Sequence, residues 1–334
     1  MSPSSSPAER RRHRTAAQGL AGDRPADAVD AVRRVLAVQS QDVRAARLAI
    51  RARTTGLTRD DVDKAYADGA LVRTWAMRGT LHALAAEDVG WVVGLLGPRF
   101  AHANRGRRSA LGLTEDICDR GAEVIASACA TPRTRAQLVD TLREAGVELD
   151  PRSQAVPHLI AYTAMTGAVV RGPDVTDKEP TYVRATPAPL DEGAALARLA
   201  QRYLDGHAHA TAEDLAAWSG LPLTKARAAF ATATPPEPTD PGPSTRLLSH
   251  FDDYLLGHAD RELVVPQRLS ELITRGGMVM PVVLVDGEVV GTWTFLSADV
   301  VEVDWTAMRG DREPLRAEVA DLARFIGAPV SLRE

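Results

Sequence analysis

Apolar residues Val29, Val32, Val35 and Leu36 recur at helical spacing from Asp27, and the chain predicts a helix there. A second helix is expected to start after Asp42, with Val43, Ala46, Leu48 and Ile50 on one side and Arg44, Arg47, Arg51 and Arg53 elsewhere. Thr58 to Asp61 has the residue types of an N-terminal cap for a third helix that ends at Asp68-Gly69. From Leu71 to Leu84 the Thr, Trp and Val content and the break at Gly79 predict two short strands.

Three helices and a hairpin is the order of a winged helix, assigned to residues 21–112. A second such unit over 113–188 is read from helical segments Glu115 to Ala130, Thr134 to Arg143 and Pro157 to Met165, then strands at Val169–Arg171 and Thr181–Arg184. Residues 189–234 form a third, with helical Ala194 to Leu204 and a helix-turn-helix phrase turning at Gly220-Leu-Pro222. Its wing is missing, because residues 235–244 are a Pro-rich linker unfit for helix or inner strand. Beyond it, residues 245–334 turn to strand chemistry, and Asp286-Gly287 between Val-rich runs predicts a tight hairpin. The stripe Leu315, Val319, Leu322 and Ile326 predicts a closing helix. The expected fold class is therefore α+β, mainly helical tandem winged-helix units followed by a small C-terminal β-barrel or sheet and a terminal helix. Residues 1–20, Ser/Pro-rich and then basic, are expected to be a disordered tail.

Charge sharpens this picture. The net charge of -4 conceals +8 in residues 1–110 and -12 in the remainder, an asymmetry expected if one basic face meets phosphates. No apolar run reaches membrane-spanning length and no leader-like segment opens the chain, so a cytoplasmic protein is expected. Cys118 and Cys129 are too few for a disulfide framework or a zinc site and read as small buried residues. No glycine spacing supports a phosphate loop, so neither a nucleotide cofactor nor a metal is expected.

Gln39 and Gln41 are two residues apart, about 200° on a helix but on one face of an extended segment. If both act at one site, the helix must be interrupted there, as cap-forming Ser40 and Asp42 permit. A carboxamide is no general base near neutral pH; it can orient water and present an oxygen dipole to positive charge. That suffices only where the leaving group is already activated, as in a purine alkylated at N7.

The residues Val38 to Asp42, Arg73 to His82, Trp218 to Pro222, Phe251 to Gly257 and Val283 to Trp293, in that order, resemble landmarks of the AlkZ/YcaQ-type bacterial DNA glycosylases. The resemblance spans roughly residues 20–305. It implies a monofunctional, cofactor-independent glycosylase that hydrolyses the N-glycosidic bond of N7-alkylated purines, in a family that also processes crosslinked bases. It also implies catalytic roles for Gln39 and Gln41, which match the ends of the family's Gln, apolar, Gln or Asp motif, whereas Ser40 departs from its middle.

For double-stranded DNA, expected to be bound by a monomer, the candidate contacts are Arg44, Arg47, Arg105, Arg107 and Arg108. Trp75, Met77 and His82 read as core residues, and Asp252, Asp253, Tyr254, Asp260 and Arg261 as a hydrogen-bonded joint rather than an acid/base pair. The same elements also suit a winged-helix regulator without enzymatic activity, or a scaffold that does not bind DNA.

Overall fold

The computed structural model describes residues 5–295, 300–304 and 312–333, and divides into two compact units. One unit takes the described residues of Met1–Ala65, Ala197–Trp218 and Pro222–Glu334; the other takes Tyr66–Leu196 and Ser219–Leu221. Both mix helix and sheet, so the chain is α+β.

The first unit holds the helices Ala28–Val35 and Val43–Ala52, each opened by an aspartate side chain that accepts from backbone N–H groups, Asp27 and Asp42 respectively. Its sheet has five strands in the order Ser331–Arg333, Val300–Asp304, Glu288–Phe295, Val282–Val285 and Thr245–Leu248. All neighbours are antiparallel except the first pair, which is parallel. The Asp286-Gly287 turn forms as expected, with both residues at positive φ (48° and 79°). Helix Glu313–Ile326 follows, burying Leu315, Val319, Leu322 and Phe325 while Ile326 is only half-buried.

The residues expected to be a disordered tail are instead largely helical, Pro7–Ala17. The local cause is a capping box in which Ser6 accepts from the Glu9 N–H and Glu9 returns the bond, with Pro7 in the first turn. The arginines that suggested a solvated tail have partners: Arg11 pairs with Glu288 at 2.9 Å, and Arg14 is buried.

In the second unit the strands run in the order Leu81–Ala85, Leu71–Trp75, Val169–Arg171, Thr181–Arg184 and Arg133–Thr134. The two expected hairpins both form, and they join through a pairing of Arg73 with Arg171. Helices Glu115–Ala128, Arg135–Glu144 and Ala155–Met165 enclose a core containing Ile125, Leu138, Leu159 and Ile160. The free thiols of Cys118 and Cys129 lie in that core, and burial pushes the Cys129 thiol up to about 11.

Helix Ala86–Ala103 has no counterpart in the sequence reading. Gly90, Gly94, Gly97 and Pro98 read locally as breakers, yet a Cβ at Gly97 would fall 2.0 Å from the Met165 carbonyl oxygen. Glycine there permits the close approach of the Ala155–Met165 segment, a tertiary requirement that periodicity does not register.

Candidate functional site

Helix Ala28–Val35 stops abruptly at Leu36, a fully buried residue held at φ 67°. A non-glycine residue in that region costs of order 1–3 kcal/mol and needs its surroundings to hold it. The chain leaves it extended, with a short strand at Val38–Gln39, until Asp42 caps the next helix through the Ala45 N–H at 3.0 Å. This is the interruption that the Gln39/Gln41 spacing required.

Along the extended stretch burial alternates. Val38 and Ser40 are buried, Gln39 is half-buried and Gln41 is exposed. The two carboxamides meet, with Gln39 Nε2 donating to Gln41 Oε1 at 3.0 Å. Accepting this bond polarises the Gln41 carbonyl and ties both amides into one dipolar group. Ser40 points its chemistry the other way: it is 0% exposed and its Oγ has no hydrogen-bond partner among the described residues. The serine is buried where the family pattern has an apolar residue.

The candidate DNA contacts differ in availability. Arg44 is exposed, and its guanidinium lies 3.9 Å from the centroid of the Phe295 ring. Arg47 is buried, donating from Nε to Asp63 at 2.5 Å. The Asn104–Ser109 patch is largely the short helix Arg105–Ala110. Its Arg108 is buried, donates to the Ala101 carbonyl and stacks 4.4 Å from the Tyr162 ring. Arg47 and Arg108 therefore serve their own units, because each apolar stem is covered and each head is engaged within the fold. Arg105 and Arg107 are exposed, Arg105 in a surface pair with Glu115 at 2.9 Å. Such exposed pairs contribute about 0–1 kcal/mol and yield readily to a phosphate.

The acidic cluster is structural. Asp252 receives Arg53 Nη1 at 2.9 Å and Nη2 at 2.7 Å, both residues being fully buried, and Arg53 also donates to Gln18 Oε1. Asp253 accepts from Trp218 Nε1 at 2.8 Å and is joined to His207 Nε2 at 2.6 Å. Burial works to raise the Asp253 carboxyl, but His207, Arg53 and the Trp218 N–H together hold it below the ordinary carboxylate range. Tyr254 donates to the Gly287 carbonyl. The arginine of the joint is Arg53, about 200 residues away in sequence, whereas the expected Arg261 donates to the Leu255 carbonyl. Only the run of arginines at Arg44, Arg47, Arg51 and Arg53 hinted at it. His82 is buried, with Nδ1 3.0 Å from the Thr80 carbonyl.

Among the described residues no group of three His, Cys, Asp or Glu side chains is placed to hold a metal ion, and no helix is long and apolar enough to cross a membrane.

Known proteins share this fold and family. The interstrand DNA cross-link repair glycosylase of Streptomyces sahachiroi is 28% identical over 339 residues, covering 90% of this chain and 91% of that protein. The structure of the Streptomyces sahachiroi DNA glycosylase AlkZ superposes with a TM-score of 0.81 at 24% identity, covering 98% of this chain and 99% of that one, so the fold is shared throughout. The model of the AlkZ-like DNA glycosylases matches residues 32–325, a span that includes the Gln39–Gln41 segment, the arginines and the buried joint, and the chain belongs to that family.

Proposed function

We propose that this glycosylase hydrolyses the N-glycosidic bond of N7-alkylated purines in double-stranded DNA, with Gln39 and Gln41 as the catalytic pair. The observation that carries the reading is the hydrogen bond between the Gln39 and Gln41 carboxamides on an extended segment between two capped helices. An N7-alkylated purine is already cationic and departs without protonation, so no general acid is required. What remains is to stabilise the oxocarbenium-like sugar and to place a water for attack at the anomeric carbon. Two amide oxygens fixed beforehand supply negative dipole where positive charge develops, with little reorganisation during the reaction. Their orientation of water adds proximity rather than basicity.

Exposed Arg44, Arg105 and Arg107 are assigned to phosphates, while Arg47 and Arg108 support the fold. The relative that repairs interstrand crosslinks motivates a test on crosslinked as well as singly alkylated duplexes. The protein is taken to act as a cytoplasmic monomer. Burial of Ser40 leaves the amide pair on the opposite side of the segment, which supports catalysis despite the polar middle residue.

The test is incubation with duplex DNA containing N7-methylguanine, scored by released base and by abasic sites. The natural sequence is expected to release base, and Gln39→Ala/Gln41→Ala to lose release by at least a hundredfold while keeping its affinity for DNA. Release by the double variant at the natural rate would remove these residues from the chemistry.

A further inference from the structure

Beside the glutamine pair, the same unit holds a cavity of about 220 Å³ lined by Asp42, Arg44, Ser249, His250, Trp293 and Phe295 among others. Asp42 directly follows Gln41 and Arg44 lies three residues past it, so one wall of the cavity continues the candidate catalytic segment. The volume is below the roughly 300–1,000 Å³ of a drug-sized ligand site and suits a single planar ring system.

The lining says which ring system. Two of its neutral donors are spent inward: Ser249 Oγ donates to the Ala45 carbonyl at 2.8 Å, and Trp293 Nε1 to the Leu248 carbonyl at 2.8 Å. Of the donors that a phosphate would require, these two are therefore committed. What the cavity presents is aromatic surface, with the Trp293 and Phe295 rings edge to face at 5.3 Å, together with the Asp42 carboxylate. The face of Phe295 carries a planar cation, the Arg44 guanidinium at 3.9 Å. A ring face that holds a guanidinium offers the chemistry to hold another flat cation.

We infer that this cavity receives the alkylated base, whose planar cation takes the place of the Arg44 guanidinium on the face of Phe295. The inference rests on the glycosylase reading above and names its base subsite. Arg44 released from the ring is then the free cation that reaches a backbone phosphate, so one residue serves two states in turn. Selection follows from charge: an N7-alkylated purine replaces one cation with another over the ring, whereas a neutral base must displace Arg44 without recovering the cation–π attraction. Asp42 adds a negative charge that favours the cationic base.

The experiment measures binding to two duplexes that differ only in the charge of one base. One carries N7-methylguanine on a 2′-fluorinated sugar that resists cleavage; the other carries neutral 7-methyl-7-deazaguanine on the same sugar. The natural protein is expected to prefer the cationic duplex by about tenfold, Phe295→Leu to lose that preference, and Phe295→Trp to keep it. Thermal unfolding at the natural protein's temperature confirms that the variants are folded. Arg44→Ala is expected to keep the preference, because displacing the resident cation costs both duplexes equally, while reducing the salt slope of binding by about one. The inference is overturned if Phe295→Leu keeps the preference, if the natural protein shows none, or if Arg44→Ala lowers it. A failure of the glycosylase reading shows separately, as absence of base release from the cleavable N7-methylguanine duplex.

Discussion

Replacing Ser40 by alanine is expected to stabilise the protein without affecting base excision. The serine is 0% exposed and its Oγ lacks a hydrogen-bond partner among the described residues, so folding strips the hydroxyl of water without a replacement bond. An unsatisfied buried group of this kind costs about 1–3 kcal/mol. Removing one oxygen leaves a small void, which at about 24 cal/mol per Å³ opposes the gain by roughly 0.5 kcal/mol. The net effect is a gain of roughly 0.5–2.5 kcal/mol, or a few degrees in melting temperature for a chain of this size. Differential scanning calorimetry of the natural protein and Ser40→Ala, beside single-turnover release of N7-methylguanine, measures both quantities. An unchanged or lower melting temperature would refute the reasoning, since it would mean that Oγ is hydrogen-bonded in solution. Loss of excision with higher stability would instead place the hydroxyl in the chemistry. A larger apolar residue is a different experiment, because Ser40→Val adds volume to a closed site and overpacking costs about 1–3 kcal/mol.

Arg53→Met is expected to destabilise by about 3–5 kcal/mol in denaturant unfolding, because it strands the buried Asp252 carboxylate, and Arg53→Met/Asp252→Leu should recover much of the loss. Arg47→Ala should lower the melting temperature and leave the salt slope of DNA binding unaltered, whereas exposed Arg107→Ala should do the reverse, reducing the slope by about one. Burial, then the charges of Arg14 and His207, push His258 down to about 3, although Asp214 acts the other way. Its unfolded form binds a proton below about pH 6.5 while the folded form does not, so its contribution is fully present above pH 6.5 and lost as pH falls towards 3. Chemical denaturation between pH 7 and 4 should show that loss, and His258→Gln should flatten it.

Local chemistry decided much of the fold. The caps at Asp27 and Asp42, the Asp286-Gly287 turn and the strands at Val169–Arg171 and Thr181–Arg184 depend on residues near one another, and the sequence alone determined them. For Gln39 and Gln41 the sequence required only that the helix be interrupted if both act at one site; that their side chains meet is seen in the structure. Tertiary structure decided which cations are available. Arg44 and Arg47 are three residues apart and chemically alike, yet one is exposed over Phe295 and the other is buried against Asp63. It also decided that Arg53 rather than Arg261 joins Asp252, that the Pro7–Ala17 segment is a helix with its arginines engaged, and that glycine-rich Ala86–Ala103 is one as well. Charge and helical spacing are properties of a residue and its neighbours, whereas the partner of a guanidinium and the room beside a glycine depend on chain that arrives from far away in sequence.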